Sequence, residues 1–194
     1  MMSWIKFIFI LLCLLFSAST VAFSKCRNIQ NVDFRNRVYP LNEYGFTEGT
    51  KLLRVPKGRY EDRSEPTSLA FLYFEIADVV FGDLTSDGKD EAAVVAIYGS
   101  NSGSFFLTDT YVFGCVGGRI KLIDILKQSR IEKESKMLVH ESIKKPVKIR
   151  NDILSVAYGT EGARPSPEFI TTFRYKVSRG NLVAYKRPIR RKNI

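Results

Sequence analysis

The nine residues from Asp83 to Glu91 (DLTSDGKDE) place oxygen-bearing side chains at a spacing suited to binding a cation. Such side chains stand at positions 1, 3, 5 and 9, and Gly88 stands at position 6. Calcium takes roughly six to eight oxygen ligands from a tightly wound loop, and the glycine permits the turn that brings in the carbonyl oxygen of position 7. We therefore predict a structural Ca²⁺ site, with ligands that come from five residues: Asp83, Thr85, Asp87, Lys89 (through its carbonyl) and Glu91.

The loop departs from an EF-hand in ways that predict weak binding. Position 12 is Val94 instead of a bidentate glutamate, and the flanking sequences are strand-like. Thr85 stands where stronger sites carry Asp or Asn, so we expect a Kd on the order of 10⁻⁴–10⁻³ M. A metal-free turn stays open as the alternative. In that turn Asp83 and Asp87 accept hydrogen bonds from loop amides, and Gly88 takes a positive φ.

The elements that position this loop are predicted to be strands. After residue 70, β-branched and aromatic residues occur in short runs separated by Gly, Asn, Asp, Ser and Pro. Residues 92–98 read as a buried strand, and Gly117-Gly118 predicts a hairpin between strands at 110–116 and 119–126. The charged segment 127–136 forms either a short helix or a loop.

A near-repeat relates residues 76–126 to residues 147–186. Each copy reads strand, Tyr-Gly, loop, strand, Gly turn, strand. We predict a mainly β fold with two antiparallel three- to four-stranded meanders, resembling propeller blades, that form one compact domain. The two sheets pack face to face or join edge to edge. Residues 148–152 (KIRND) occupy the place of the acidic loop in the second copy, and they lack the Asp-Gly register of a second metal site.

The acidic loop resembles the calcium loop of FG-GAP or VCBS-type repeats, which has the pattern D-x-D-x-D-G-x-x-D between two strands. Residues 82–94 (GDLTSDGKDEAAV) also resemble a family of secreted, uncharacterised bacterial proteins. Its members share G-D-L-T-x-D-G-x-x-E-A, a following strand, a Gly-rich loop and a Y-V-F hairpin, and 167–175 (PEFITTFRY) is similar to their C-terminal part. The resemblance covers roughly residues 70–185 and implies a fold, without an established activity.

The N-terminus predicts export. Residues 7–16 (FIFILLCLLF) are an unbroken apolar run, and Ala22 and Ser24 are small residues suited to cleavage before Lys25. The run is shorter than the about 20 residues of a membrane span. We expect residues 1–24 to be a signal peptide and the mature protein to be periplasmic or secreted, with no membrane span left after cleavage. A retained anchor is the alternative, and a disulfide between Cys26 and Cys115 is left open.

The remaining chain divides into an N-terminal extension with little regular structure (25–66), a β domain (67–187) and a basic tail (188–194). The chain has 30 Lys and Arg against 20 Asp and Glu, which gives a net charge of +10. Much of the excess lies at the end of the chain, in Lys186, Arg187, Arg190, Arg191 and Lys192. Such a tail binds anionic polymers or is a solvated terminus.

The sequence offers little material for catalysis. His140 is the only histidine, and it lies in a segment that alternates like a surface strand, so a zinc site or a histidine-dependent nucleophile is not expected. Acid pairs such as Asp78 with Asp83 make a polymer-acting hydrolase the alternative. We favour a non-catalytic secreted module that binds a protein or an anionic envelope polymer. No nucleic acid partner is expected, and the oligomeric state is left open.

Overall fold

The computed structural model describes residues 26, 28–41, 51–61, 72–100, 106–161 and 167–193, without the side chains of residues 51, 72, 100 and 140–146. The predicted signal peptide and the side chain of His140 therefore lie outside the described residues. The described part of the chain forms twelve strands and one α-helix. They are β1 Val38–Leu41, β2 Lys51–Arg54, β3 Arg59–Glu61, β4 Leu72–Gly82, β5 Glu91–Ser100, β6 Phe106–Val116, β7 Arg119–Leu126, α1 Gln128–Ser135, β8 Val139–Arg150, β9 Ile153–Thr160, β10 Phe169–Ser178, β11 Asn181–Ala184 and β12 Ile189–Lys192.

The predicted mainly β, antiparallel fold is confirmed. The first sheet has the order β3-β4-β5-β6-β7, and the second has the order β8-β9-β10-β11, with β12 also paired to β10. The first sheet is a five-stranded meander in chain order, the second is a four-stranded meander with β12 as a further strand, and β1 and β2 form a separate hairpin. The first sheet begins at Arg59, earlier than the boundary at residue 67 expected from the sequence, because β3 pairs with β4.

The two sheets pack face to face. Residues of β9 alternate, with Leu154, Val156 and Tyr158 buried and the residues between them partly exposed. The buried side chains meet Ala93 and Val95 of the first sheet in one apolar core. This alternation, with period two, gives the second sheet one inner face and one outer face.

The other face of the first sheet is covered by the N-terminal segment. This segment contributes the β1–β2 hairpin and three short 3-10 turns, at Ile29–Asn31, Phe34–Asn36 and Pro56–Gly58. Its buried apolar side chains form a second core with the first sheet, and they are Ile29, Phe34, Tyr39, Leu41, Leu53 and Val55. The first sheet is thus buried on both faces, which explains why residues 92–96 read as a continuous apolar run.

The first backbone amide of helix α1 donates a hydrogen bond to a side chain of the first sheet. Lys127 precedes the helix and makes no side-chain cap. Asp109 of β6 replaces that cap, because its Oδ1 accepts the Gln128 amide at 3.0 Å and its Oδ2 accepts the Tyr98 hydroxyl at 3.0 Å. The Gln128 Oε1 atom in turn accepts the Thr108 amide at 3.1 Å. The choice between helix and loop that the sequence left open is thus decided by a buried polar network.

Arg130 connects α1 to both sheets. Its guanidinium contacts Asp124 of β7 at 3.0 Å and Glu134 at 2.8 Å, and it also donates to the Leu182 carbonyl of β11. The carboxylate of Asp124 accepts the Leu182 amide at 2.8 Å. These contacts join the edge strands β7 and β11, and so they fix how the two sheets are stacked at this edge.

We expect Asp109→Ala to lower the free energy of unfolding by about 2–4 kcal/mol, because two buried donors lose their acceptor. Tyr98→Phe removes one hydrogen bond while leaving Asp109 bonded to the helix, and it should cost about 1 kcal/mol. Urea unfolding of both variants measures the difference. Equal losses in the two variants would show that the bond to Gln128 adds nothing to the stability.

Candidate functional site

The acidic loop lies between β4 and β5, as the sequence predicts for residues 83–90. Its tight turn uses two residues with positive φ, Ser86 at 60° and Gly88 at 78°. A Cβ added to Gly88 would meet no atom within 4 Å, so the glycine serves the backbone conformation and not a close contact.

The aspartates of the loop accept hydrogen bonds from its own amides. Asp83 accepts the Asp87 amide at 3.2 Å and the Gly88 amide at 2.9 Å. Asp87 accepts the Lys89 amide at 3.0 Å, and the Lys89 ammonium lies 3.7 Å from its other oxygen. This is the hydrogen-bond pattern of the metal-free alternative.

Glu91 is directed into the base of the loop. The residue is 3% exposed, and its Oε2 accepts the Leu84 amide at 2.8 Å and the Thr85 amide at 3.0 Å. The Thr85 hydroxyl donates to Oε1 at 3.3 Å. Burial raises the pKa of Glu91, and the amide hydrogen bonds oppose that shift.

The donor chemistry of the loop suits calcium, but the described arrangement does not gather its ligands. No group of three or more His, Cys, Asp or Glu side chains converges within the described residues. Asp83, Asp87 and Glu91 each satisfy loop amides, so an ion would have to draw these carboxylates away from them. Calcium binding by Asp83, Thr85, Asp87, the Lys89 carbonyl and Glu91 therefore stays a prediction.

A cavity of about 460 Å³ lies beside the loop, and the β8–β9 turn forms its other wall. Asp83 and Ser86 line it from the loop, and Asn151 and Asp152 line it from the turn. The corresponding connections of the two meanders thus meet at one end of the molecule. Gly82 permits this contact, because a Cβ at that position would lie 2.8 Å from Cγ2 of Ile149.

The carboxylate pair considered for hydrolysis is not assembled at this cavity. Asp78 lies at the irregularity in the β4–β5 register, and its Oδ1 accepts the amide of Val79. Asp83 lines the cavity without Asp78, and both its oxygens are used by the loop. The described geometry therefore gives the hydrolase alternative no support.

The outer face of the second sheet carries a set of cations on alternating positions. On β8, Lys148 and Arg150 are exposed, while Val147 and Ile149 point into the core. The register places Lys148 opposite Ser155 and Ser155 opposite Arg174, so the two cations flank the central strand β9. We call the five cations of this outer surface the basic face, and they are Lys148, Arg150, Arg174, Lys176 and Arg191.

The basic tail predicted at 188–194 adds a strand to this sheet. Residues 189–192 pair with residues 169–172, and Arg191 lies opposite Ile170 of the outer face. Arg190 lies on the other side, where it pairs with Glu161 and its guanidinium carbon sits 3.5 Å from the centre of the Phe169 ring. The Asn193 amide donates to the Glu168 carbonyl at 2.9 Å. The tail is therefore part of the second sheet.

Two cations of the basic face have partners within the molecule. Lys176 donates to Asp152 at 2.8 Å, and this hydrogen bond raises the pKa of Lys176. Arg174 donates to the Arg187 carbonyl at 2.8 Å. Our sequence-based prediction missed all four cations of β8 and β10. The alternation V-K-I-R at 147–150 and F-R-Y-K at 173–176 is the signal that identifies them.

Comparison of the chain with protein-family models, with curated proteins and with solved structures finds no match. Among the described residues, no helix combines the length and the apolar character needed to cross a membrane.

The raised pKa of Glu91 predicts a pH-dependent contribution to stability. The folded protein binds this proton more tightly than the unfolded chain, whose glutamate has a pKa near 4.5. The free energy of unfolding due to Glu91 should therefore fall as the pH rises from 4.5 through the folded pKa, and then level off. Urea unfolding of wild type and Glu91→Gln measures this as a difference that decreases with pH. Glu168→Gln, at an exposed carboxylate, is the control, and a difference that rises with pH would contradict the assignment.

The calcium prediction is tested by thermal unfolding with and without the ion. At a calcium concentration of ten times Kd, binding to the folded state adds about 1.4 kcal/mol and raises the Tm. The rise should be absent with magnesium and in Asp87→Ala. About 10 mM calcium is a concentration above the Kd expected for such modules. A wild-type Tm that does not respond to it would establish the metal-free turn, in which Asp83 and Asp87 accept hydrogen bonds from loop amides.

Proposed function

We propose that this protein is a secreted, non-catalytic β module that binds an anionic polymer of the cell envelope through its basic face. The observation that carries the proposal is the alignment of exposed and half-buried cations on one side of one sheet. Calcium at the acidic loop has a structural role in this proposal, at the β4–β5 connection that faces Arg150 across the cavity.

The spacing of the cations favours an extended ligand. Neighbouring strands lie about 4.8 Å apart, and residues two apart on one strand lie about 7 Å apart. Lys148 with Arg150 and Arg174 with Lys176 thus form two parallel columns about 10 Å apart. An isolated contact with an exposed cation contributes little in water. A polymer with regularly spaced anions contacts several of these cations at once, and each added contact is intramolecular.

The central strand leaves room for such a chain. Between the two columns, β9 presents Ser155, opposite Lys148 and Arg174, and Ile153, opposite Arg150. These side chains are uncharged and shorter than the flanking lysines and arginines. The outer surface is therefore a shallow trough with an uncharged floor and cationic sides, which suits a polymer backbone with anionic groups on either side.

The sheet also holds the cations in a fixed arrangement. The inner face is anchored by buried Leu154, Val156 and Phe173, and the polymer does not need to order the strands when it binds. Preorganisation of this kind lowers the entropic cost of binding. The excess of positive charge over the whole chain adds long-range attraction to an anionic polymer.

The test measures binding of inorganic polyphosphate to the full chain and to Lys148→Gln/Arg150→Gln. We expect the double variant to bind about tenfold more weakly, and the slope of log K against log salt to fall by about one per lost contact. The matched control is Lys121→Gln/Lys133→Gln, which removes the same charge at exposed positions outside the second sheet.

The arms of the experiment separate the sources of anionic charge. Poly-glutamate replaces phosphate with carboxylate, and uncharged dextran measures binding without charge. Single-stranded DNA tests whether the protein prefers a nucleic acid, which we do not expect as a partner. Binding that falls equally in the two double variants would mean attraction by net charge alone, and it would overturn the assignment to the basic face. Preference for DNA over polyphosphate would overturn the choice of an envelope polymer.

A further inference from the structure

The side chains of Cys26 and Cys115 meet at the end of the first sheet. Cys26 is buried, with 8% of its surface exposed, and Cys115 lies half-buried near the end of β6. The two side chains are hydrogen-bonded to each other. Cysteines so far apart in the chain are brought together here by the path of the N-terminal segment.

Specific contacts hold that segment in place across the sheet. The Gln30 amide nitrogen Nε2 donates to Asp90 at 2.6 Å, and the Arg35 guanidinium donates to the Ile76 carbonyl at 2.9 Å. Asn28 caps the first 3-10 turn by accepting the Gln30 amide at 3.0 Å. These bonds begin two residues after Cys26, at Asn28, and they hold the chain from there onward against the first sheet.

We propose that Cys26 and Cys115 form a disulfide that fastens the N-terminus of the mature protein to the first sheet. The predicted cleavage before Lys25 makes Cys26 the second residue of the mature chain, and terminal residues fray unless they are tied down. The N-terminal segment covers one face of the first sheet, so fastening its start protects that face. The inference is independent of what the basic face binds.

The reaction needs an oxidant, for which a small-molecule disulfide such as oxidised glutathione suffices. The thiolate of the more exposed Cys115 attacks one sulfur of that disulfide, which forms a mixed disulfide and releases one thiol. Cys26 then loses its proton to solvent, and its thiolate attacks Sγ of Cys115 and releases the second thiol. Two protein thiols are oxidised to one disulfide, and the small disulfide is reduced to two thiols.

The second step should be slow at neutral pH. Burial is the largest cause that raises the pKa of Cys26, to about 11 in the dithiol, and it also acts in the mixed disulfide, so the thiolate fraction of Cys26 is small near pH 7. The rate at which the mixed disulfide resolves should therefore increase about tenfold for each unit of pH between 7 and 9. A resolving rate that is independent of pH in this range would contradict attack by Cys26.

The pairing is tested by peptide mapping of the full chain. The protein is equilibrated with oxidised glutathione, quenched in acid, alkylated and digested without reduction. We expect a linked pair of peptides that contain Cys26 and Cys115 and lack two hydrogen atoms, in the wild type and in Cys13→Ser. Recovery of both cysteines in alkylated form, as glutathione adducts only, or linked to Cys13, would overturn the proposal.

The structural role is tested separately by thermal unfolding. Reduction should lower the Tm of the oxidised protein by about 5–15 °C, because the cross-link closes a long loop in the unfolded chain. The double variant Cys26→Ser/Cys115→Ser should show no change with reductant, which controls for effects of the reductant itself. A Tm that rises on reduction would show a strained bond and would overturn the fastening role.

Discussion

The burial of the first sheet on both faces is the constraint on which the rest of the structure depends. Residues 92–96 of β5 are fully buried, and their small alanine and valine side chains alternate between two cores. A sheet with two apolar faces is stable only when both are covered. The second sheet covers one face and the N-terminal segment covers the other, so both elements are part of the hydrophobic core of the domain.

Several polar side chains that this packing buries are hydrogen-bonded to partners on other elements of the fold. Asp109 caps a helix that begins 19 residues later, and Arg130 reaches 52 residues along the chain to Leu182. The Glu91 carboxylate accepts hydrogen bonds from the amides of Leu84 and Thr85 at the base of the acidic loop. A buried polar group without a hydrogen-bond partner is costly, so these side chains are placed where they pair with other buried polar groups. The exposed acidic loop is shaped by local hydrogen bonds instead, because Asp83 and Asp87 close the turn on its own amides.

The second sheet is exposed on one face because nothing in the described part of the chain covers it. Strands β8 and β10 alternate between core residues and cations, at 147–150 and 173–176, so burial of one set presents the other set to solvent as a group. The edge strand β12 extends this surface and holds the C-terminal cations in register with β10. A rigid core layer and a charged outer layer thus arise from one periodicity.

The sequence by itself determined the local elements. Short runs of β-branched and aromatic residues predicted the strands after residue 70, Gly117-Gly118 predicted a hairpin in which both glycines have positive φ, and Gly88 predicted the turn of the acidic loop. These features depend on neighbouring residues, so they can be read along the chain. Only the tertiary structure decided that the sheets stack face to face, that Glu91 turns inward, that the cations of β8 and β10 share a face, and that Cys26 reaches Cys115. Each of these depends on strand pairing and burial between distant segments, which local spacing does not encode.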